Sequence, residues 1–571
     1  MPTLNWIGKD AVINHDKEVP FRLLKKVKSS SVGNSQNLII HGDNLEALKA
    51  IMPFYIGKVK CVYIDPPYNT GNEGWVYNDK VNSPKIKKWL GKVVGRDSED
   101  LCRHDKWLCM MYPRIKLIHS LLSDDGLAII HIDENEVTHL KILMDEIFGE
   151  SNDLGTIVWD KRNPKGDSQK VSYQHESIIL FAKNIENIRG SFSVKKANAK
   201  EIIKKANNLF SKLGKKDLPE DIKKLAKEYD FPKEFLEKQS KIFTLQDINN
   251  EFQVWMKKQD FTGGEKAYRF IDPKGKVYRG VSMAWPNKSK APDDYWIPLI
   301  HPKTKKECPL PSRGWRYPSS TMQQLLEQGY ILFGEDHKKQ PERKYLLEEN
   351  MSQNLTSLIS FGGSDDSLQK QLGYQFENPK PVTFAADLLD IFTNKNDIIL
   401  DSFAGSGTTA HAVLKLNKSD EGSRKFVLIE MDDKVAKDIT AERVKRAIKQ
   451  YDYKDGFEYC ELSKPLFDEE GQIEDTCDFD QFATYIYFTE TQTNIDPAKV
   501  SANYIGEYAE TEYYLIYKEK GENVLSKSFL KKLKKNDSKK VVYADKCLLD
   551  ETTLDKYNVV FKQIPYEVKI Y

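Results

Sequence analysis

The sequence predicts an alternating α/β fold in which one α/β domain is interrupted by a large insert. Three observations carry that expectation. Short apolar runs alternate with segments whose apolar residues recur at helical spacing. Two of these runs stop in loops rich in proline or glycine. The alternation breaks after Asn184 and resumes at Ile398, so two parts of one domain flank a different module.

Taken in order, Leu38–His41 reads as a strand, Gly42-Asp43-Asn44 as a turn, and Leu45, Leu48 and Ile51 as one face of a helix. The run 61–64 is a strand ended by Asp65-Pro66-Pro67, since two prolines stop any regular ladder. Ile115, Leu117, Ile118, Leu121 and Leu122 mark a helix, Asp125-Gly126 a turn, 127–132 a buried strand, and Val137–Phe148 a second helix. Residues 156–159 and 177–181 read as an antiparallel pair at the sheet edge. The stretch 195–241 is lysine-rich with a helical pattern, and 250–335 mixes Trp, Tyr, Pro and Gly without a sustained period. A strand at 398–400, a glycine-rich loop at 404–408, a helix through 410–416 and a strand at 426–429 follow, and a tyrosine-rich module of short strands runs from about residue 453.

The 571 residues suggest about three or four domains at roughly 100 to 200 residues each. With 40% hydrophobic and 30% charged residues, the composition is that of a globular chain rather than a disordered or fibrous one. The longest apolar stretches, 126–132 and 177–182, fall far short of the roughly 18 residues of a membrane span, so no membrane insertion is expected. Lys9, Asp10, Asp16 and Lys17 near the start leave no apolar secretory core, and a cytoplasmic protein is expected. Seven cysteines without a CxxC pair argue against disulfides and zinc, and ten histidines show no metal-ligand spacing, so no metal is expected. Net charge is +2, but it is uneven. Residues 251–316 hold an excess of basic groups, 456–485 an excess of acids, and 527–540 a lysine run.

Two loops carry the chemistry. Asp401-Ser402-Phe403-Ala404-Gly405-Ser406-Gly407-Thr408 lies between a strand and a helix, where glycines let the backbone turn sharply and approach a ligand. Glu430 ends the next strand, about where nucleotide-binding folds place a ribose-binding acid. Asp65-Pro66-Pro67-Tyr68 also ends a strand: a carbonyl and a carboxylate can face one amino group while the tyrosine offers a ring. That set suits the exocyclic amine of a planar base, because acceptors on its hydrogens shift electron density to a nitrogen attacking a methyl group. A duplex base must be flipped out to reach such a pocket.

Together these residues resemble the adenine-N6 DNA methyltransferases that use S-adenosylmethionine. The catalytic motif precedes the Phe-x-Gly-x-Gly loop by over 300 residues, as in the permuted beta class. The whole chain is similar to the modification (Mod) subunit of type III restriction-modification systems. The resemblance implies a doubly wound, seven-stranded, Rossmann-like methyltransferase fold with permuted motif order. Its parts are an N-terminal segment 1–35, a catalytic half 36–185, a target-recognition insert 186–365, a cofactor half 366–452 and a C-terminal module 453–571. It implies Asp65, Pro66, Pro67 and Tyr68 as catalytic, and Asp401, Phe403, Ala404, Gly405, Gly407, Thr408 and Glu430 as cofactor-binding. Lys380, in Asn378-Pro379-Lys380-Pro381, belongs to the segment that covers the cofactor in that family. Asp43 is a cofactor contact or simply a helix N-cap.

Trp159, Lys161, His175 and Glu176 surround the strand pair expected to line the flipped-base pocket, though Trp159 reads equally as core and His175 as a solvated residue. Lys161, Lys266, Arg269, Lys276, Arg279 and Arg316 are the candidate DNA contacts, the last five interleaved in the insert with aromatics such as Tyr268, Trp285 and Trp315. The expected partners are double-stranded DNA, a second copy of the chain and a separate restriction (Res) subunit, since no GxxxxGK[ST] loop for a translocating ATPase is present. A cytosine-N4 methyltransferase and a DNA-specificity subunit that targets a nuclease are the alternatives, and Asp65 favours adenine.

Overall fold

The computed structural model describes all residues except 1–2, 34, 71–83, 96–101, 163–170, 189–191, 197, 377, 468–471, 475, 519–522, 534–535 and 565–571. It forms two compact units, Met1–Gly190 with Thr356–Tyr571, and Ser191–Leu355.

The first unit is built on a ten-stranded sheet. Its strands in chain order are β1 (Arg22–Lys26), β2 (Leu38–His41), β3 (Val59–Ile64), β4 (Leu122–Ile132), β5 (Asp153–Asp160), β6 (His175–Ala182), β7 (Leu358–Ser360), β8 (Ile398–Asp401), β9 (Lys425–Glu430) and β10 (Glu458–Pro465). They lie in the order β1-β10-β2-β9-β8-β3-β4-β6-β5-β7. The seven apolar runs of the sequence are the seven contiguous strands from β2 to β5. Three further strands at the edges make ten rather than seven: β1 and β10 beyond β2, and β7 beyond β5. Pairing is parallel from β10 to β4. β6 then runs antiparallel to both β4 and β5.

Central strands read as continuous apolar runs because both faces are covered. Ile40, Val62, Ile64, Ala128, Ile130, Leu400, Val427 and Ile429 share one core cluster with the helices α1 (Asn44–Tyr55), α2 (Arg103–Leu121) and α3 (Val137–Phe148). Their alternates Ile39, Tyr63, Ile129, Ile399 and Leu428 point to the opposite face and are buried as well. Helices α4 (Val382–Phe392) and α5 (Thr408–Asp420) pack on each other, and α6 (Glu442–Tyr451) lies against α5.

Three expectations are corrected. Asp125-Gly126 is not a turn before the strand: β4 runs through it from Leu122. Its backbone presses on β3 there, where a Cβ on Gly126 would meet the Val59 carbonyl at 2.9 Å, and the β3–β4 register shifts between Val59 and Cys61. The insert unit is narrower than 186–365, because β7 adds to the main sheet beside β5. β1, from the expected N-terminal segment, and β10, from the expected C-terminal module, are antiparallel neighbours in that same sheet.

Within the insert unit, the lysine-rich stretch carries helices Ala199–Phe210, Glu220–Glu228 and Lys233–Gln239. The aromatic stretch supplies strands of a four-stranded antiparallel sheet, with Phe243, Phe252 and Tyr268 in its core. After β10, the tail folds into helix Phe479–Thr491 and a second four-stranded sheet. Of the acidic strip 456–485, residues 468–471 and 475 lie outside the described residues, as do 534–535 of the lysine run.

Candidate active site

β3 and β8 are adjacent parallel strands, so the loops after Ile64 and Asp401 open at the same end of the sheet. Open α/β sheets hold ligands at the carboxyl ends of their strands. His41 of β2 and Glu430 of β9 end at that edge too, with Glu430 paired to His41 in register.

The glycine loop is held by its own acids. Asp401 Oδ1 accepts from the Phe403 N–H at 3.0 Å and Oδ2 from the Thr409 hydroxyl at 2.5 Å. Burial pushes the Asp401 carboxyl up to about 7, against the pull of those donors. Glu430 accepts from the Gly405 N–H at 2.9 Å through one oxygen and from the Asp432 N–H at 2.9 Å through the other. It therefore clips the loop whatever else it binds. Gly405 and Gly407 have φ of +49° and +79°, the left-handed region where glycine carries no Cβ penalty. A Cβ on Gly407 would meet Thr440 Cγ2 at 3.2 Å, so its glycine serves the approach of the following segment as well as the turn. Ala404 is buried and donates its N–H to the Ile429 carbonyl, and Phe403 packs against the main core.

From α6, the buried Arg443 donates to Ser406 Oγ at 2.5 Å and to Thr408 Oγ1 at 2.9 Å, and pairs with Asp365 at 3.4 Å. Thr408 in turn donates to the Lys380 carbonyl at 3.2 Å. Asp43 caps α1 through the Leu45 N–H at 2.8 Å, which realises the N-cap reading. Arg114, buried in α2, contacts Asp43 at 3.3 Å and Asn44 at 2.5 Å, and Asn44 donates to the Ser402 carbonyl at 3.0 Å. One buried arginine thus joins the first turn to the glycine loop.

The second loop is braced from behind. Trp107 of α2 donates its indole N–H to the Pro67 carbonyl at 2.7 Å, so the tether falls one residue past Pro66. Asn69, at φ +58°, donates to the Arg103 carbonyl at 3.1 Å and to the buried carboxylate of Glu136. Glu136 also meets His104 Nδ1 at 2.7 Å and His139 Nδ1 at 2.9 Å, and burial pushes it up to about 7. Among the described residues these three form one group with metal-ligand reach. Sequence spacing concealed it, since His104 and Glu136 are 32 positions apart.

At the mouth, Tyr68 donates to Asp65 Oδ1 at 2.5 Å. Lys380 reaches in: its Nζ lies 2.9 Å from Asp65 Oδ2, 3.1 Å from Glu176 Oε2 and 2.7 Å from the Tyr68 hydroxyl. Burial disfavours the Lys380 charge, but Asp65 and Glu176 outweigh it and raise the ammonium above its usual range. Burial likewise opposes charge on Glu176, and Lys380, His131 and Lys161 overcome it, holding the carboxyl well below the usual range. Burial, reinforced by Asp65 and Glu176, keeps the Tyr68 phenol neutral.

Trp159 is buried, stacked on Phe384 with ring centres 4.3 Å apart, as a core residue would be. His175 is exposed at the start of β6. Of the candidate DNA contacts, Lys161 is tied to Glu176, Lys276 pairs with Glu348 at 2.6 Å, and Arg279 lies over Tyr268 and Tyr345. Lys266, Arg269 and Arg316 are exposed. Sequence reasoning missed Trp107, Arg114, Glu136 and Arg443. Trp107 and Arg114 stand seven apart on one helix face, which was a signal; Arg443 had none.

Residues 59–442 match the family model described as DNA methylase. The chain is 32% identical over 482 residues to the type III restriction-modification enzyme EcoP15I Mod subunit of Escherichia coli, covering 78% of this chain and 69% of that protein. It is 31% identical over 457 residues to the EcoPI Mod subunit of Escherichia phage P1, covering 76% and 64%. It is 28% identical over 425 residues to the StyLTI Mod subunit of Salmonella typhimurium, covering 72% and 54%. The matched part thus amounts to between 54% and 69% of the length of these relatives.

Proposed function

The chain belongs to the DNA methylase family, and we propose that it is the modification subunit of a type III restriction-modification system: a sequence-specific methyltransferase acting on N6 of an adenine flipped out of duplex DNA. One observation carries the reading. The acceptor Asp65 and the ring of Tyr68 end the strand next to the one that opens the glycine loop, and an amine-type donor already lies against both.

The loop's chemistry suits S-adenosylmethionine. Asp43, Asp401 and Glu430 offer carboxyl oxygens to a ligand that carries positive charge and ribose hydroxyls, and the buried Ser402 hydroxyl has no hydrogen-bond partner among the described residues. When bound, that cofactor supplies an electrophilic methyl group. The remaining work falls to the chain. Asp65 and the Pro66 carbonyl accept from the N6 hydrogens, which concentrates electron density on nitrogen and gives the departing proton an acceptor. Pro66 and Pro67 hold that backbone fixed, with Trp107 as tether. Tyr68 offers the face on which the base stacks.

Lys266, Arg269 and Arg316 are the insert residues whose exposure favours phosphate or base contact, and Lys276 and Arg279 are already engaged within the insert. The reading further includes a homodimer acting on DNA in the cytoplasm, with a separate Res subunit for cleavage. Among the described residues no helix is long and apolar enough to cross a membrane. Single-molecule sequencing of DNA from cells expressing the chain tests the function directly. N6-methyladenine at one recurring motif, absent with Asp65→Ala, is expected. N4-methylcytosine would overturn the choice of base, and unmodified DNA would overturn the activity.

A further inference from the structure

Lys380 holds the position that the substrate amine needs. Its ammonium touches Asp65 and the Tyr68 hydroxyl, and sits 5.1 Å from the centre of the Tyr68 ring. These are the acceptor and the ring that a flipped adenine would use. The ammonium and the N6 group cannot both occupy that space over Tyr68, so arrival of the base requires Lys380 to withdraw. A place for it exists. Glu176 lies 3.1 Å from the same ammonium, is only 5% exposed, and is anchored by Lys161 on its other oxygen.

We propose that Lys380 is a placeholder for the target amine, and that Glu176 retains its ammonium when the base displaces it from Asp65 and Tyr68. Both are positioning residues. In the absence of DNA the ammonium lies between the half-buried Asp65 and the buried Glu176 and offsets the repulsion between their carboxylates. When the base arrives, adenine N6 returns a donor to Asp65, whereas a base without that amine leaves Lys380 in place and gains nothing from Asp65. The role differs from covering the cofactor, which the sequence suggested for Lys380. It rests on the adenine reading above.

The test uses the full chain and duplexes carrying the sequenced motif with adenine, or with purine lacking the amine, at the target position. Lys380→Met removes the competitor, so preference for adenine over purine in binding should rise about tenfold, the equivalent of about 1.4 kcal/mol. Glu176→Gln should lower that preference about tenfold where Lys380 is present, and should have no effect in the Lys380→Met background. An unchanged preference in Lys380→Met overturns the proposal. So does a Glu176→Gln defect of equal size in both backgrounds. A Lys380→Met protein that loses S-adenosylmethionine affinity with an unchanged adenine-to-purine ratio returns Lys380 to the cofactor cover. If Lys380→Met fails to fold, Lys380→Gln takes its place in the same cycle. A wild-type chain that methylates no adenine sinks the functional reading, whereas a methylating wild type with unmoved ratios sinks this inference alone.

Discussion

Replacing Asp65 by Asn separates chemistry from folding, because the structure shows what each would lose. Asp65 Oδ2 is one of three partners of Lys380, and the variant leaves Glu176 at 3.1 Å and Tyr68 at 2.7 Å in place. The ammonium is not orphaned, so the fold should lose about 1 to 2 kcal/mol, the scale of one charged hydrogen bond. The reacting nitrogen fares worse. An amide is a weaker acceptor, carries no charge and cannot take up the proton. Losing one preorganised group at a transition state costs about 3 to 4 kcal/mol, roughly 10²- to 10³-fold in kcat. The loss of charge places this variant at the upper end. Single-turnover transfer of a labelled methyl group gives the rate, urea unfolding gives the stability, and calorimetry gives cofactor affinity. A rate within tenfold of the parent would refute the assignment of Asp65, and so would a cofactor affinity that fell as far as the rate.

Other outcomes follow from the same geometry. Gly407→Ala should cost about 1 to 3 kcal/mol by urea unfolding, from left-handed strain and the Thr440 methyl at 3.2 Å, and an unchanged midpoint would count against it. Asp401, pushed up to about 7 by burial, should make the wild type lose stability as pH rises from about 4 to about 7. The sign follows because the folded state binds the proton more tightly: below the lower value both states are protonated and nothing is lost, and above the upper the full cost, on the order of 4 kcal/mol, is present. Asp401→Asn should flatten that slope without removing it, because Glu136 is also pushed up to about 7, and a slope identical to the parent's in unfolding experiments would refute it. Trp107→Phe leaves the Pro67 carbonyl without its donor and should slow methyl transfer about tenfold while sparing cofactor affinity, as single-turnover rates and calorimetry would show. Light scattering at micromolar concentration should give a dimer for the full chain. A chain ending at Asp452 should lose stability as well, because it lacks β10, which lies between β1 and β2.

Sequence by itself determined the seven apolar strands: those buried on both faces have no room for polar residues and so announce themselves as runs, and β5, buried only at Ile157 and Trp159, still carries a short apolar run. It also determined the two loops, since Asp-Pro-Pro-Tyr and Phe-x-Gly-x-Gly combine backbone constraint with chemistry at fixed spacing. The outer strands β1, β7 and β10 were not legible, because half-buried strands mix polar and apolar residues and their partners lie far away, Arg22 opposite Pro465 for instance. Nor was Gly126 legible as part of a strand, because Asp125-Gly126 has the local chemistry of a turn and only contact with Val59 overrides it. Within the site, Lys380 was readable as a member of its segment, but its attachment to Tyr68 spans 312 positions and was decided by tertiary packing, in which Phe384 of α4 stacks on Trp159 of β5. Arg114, Glu136 and Arg443 belong to the same class. A buried charge is tolerated only where its partners converge in space, and that convergence is a property of the tertiary structure that no local pattern records.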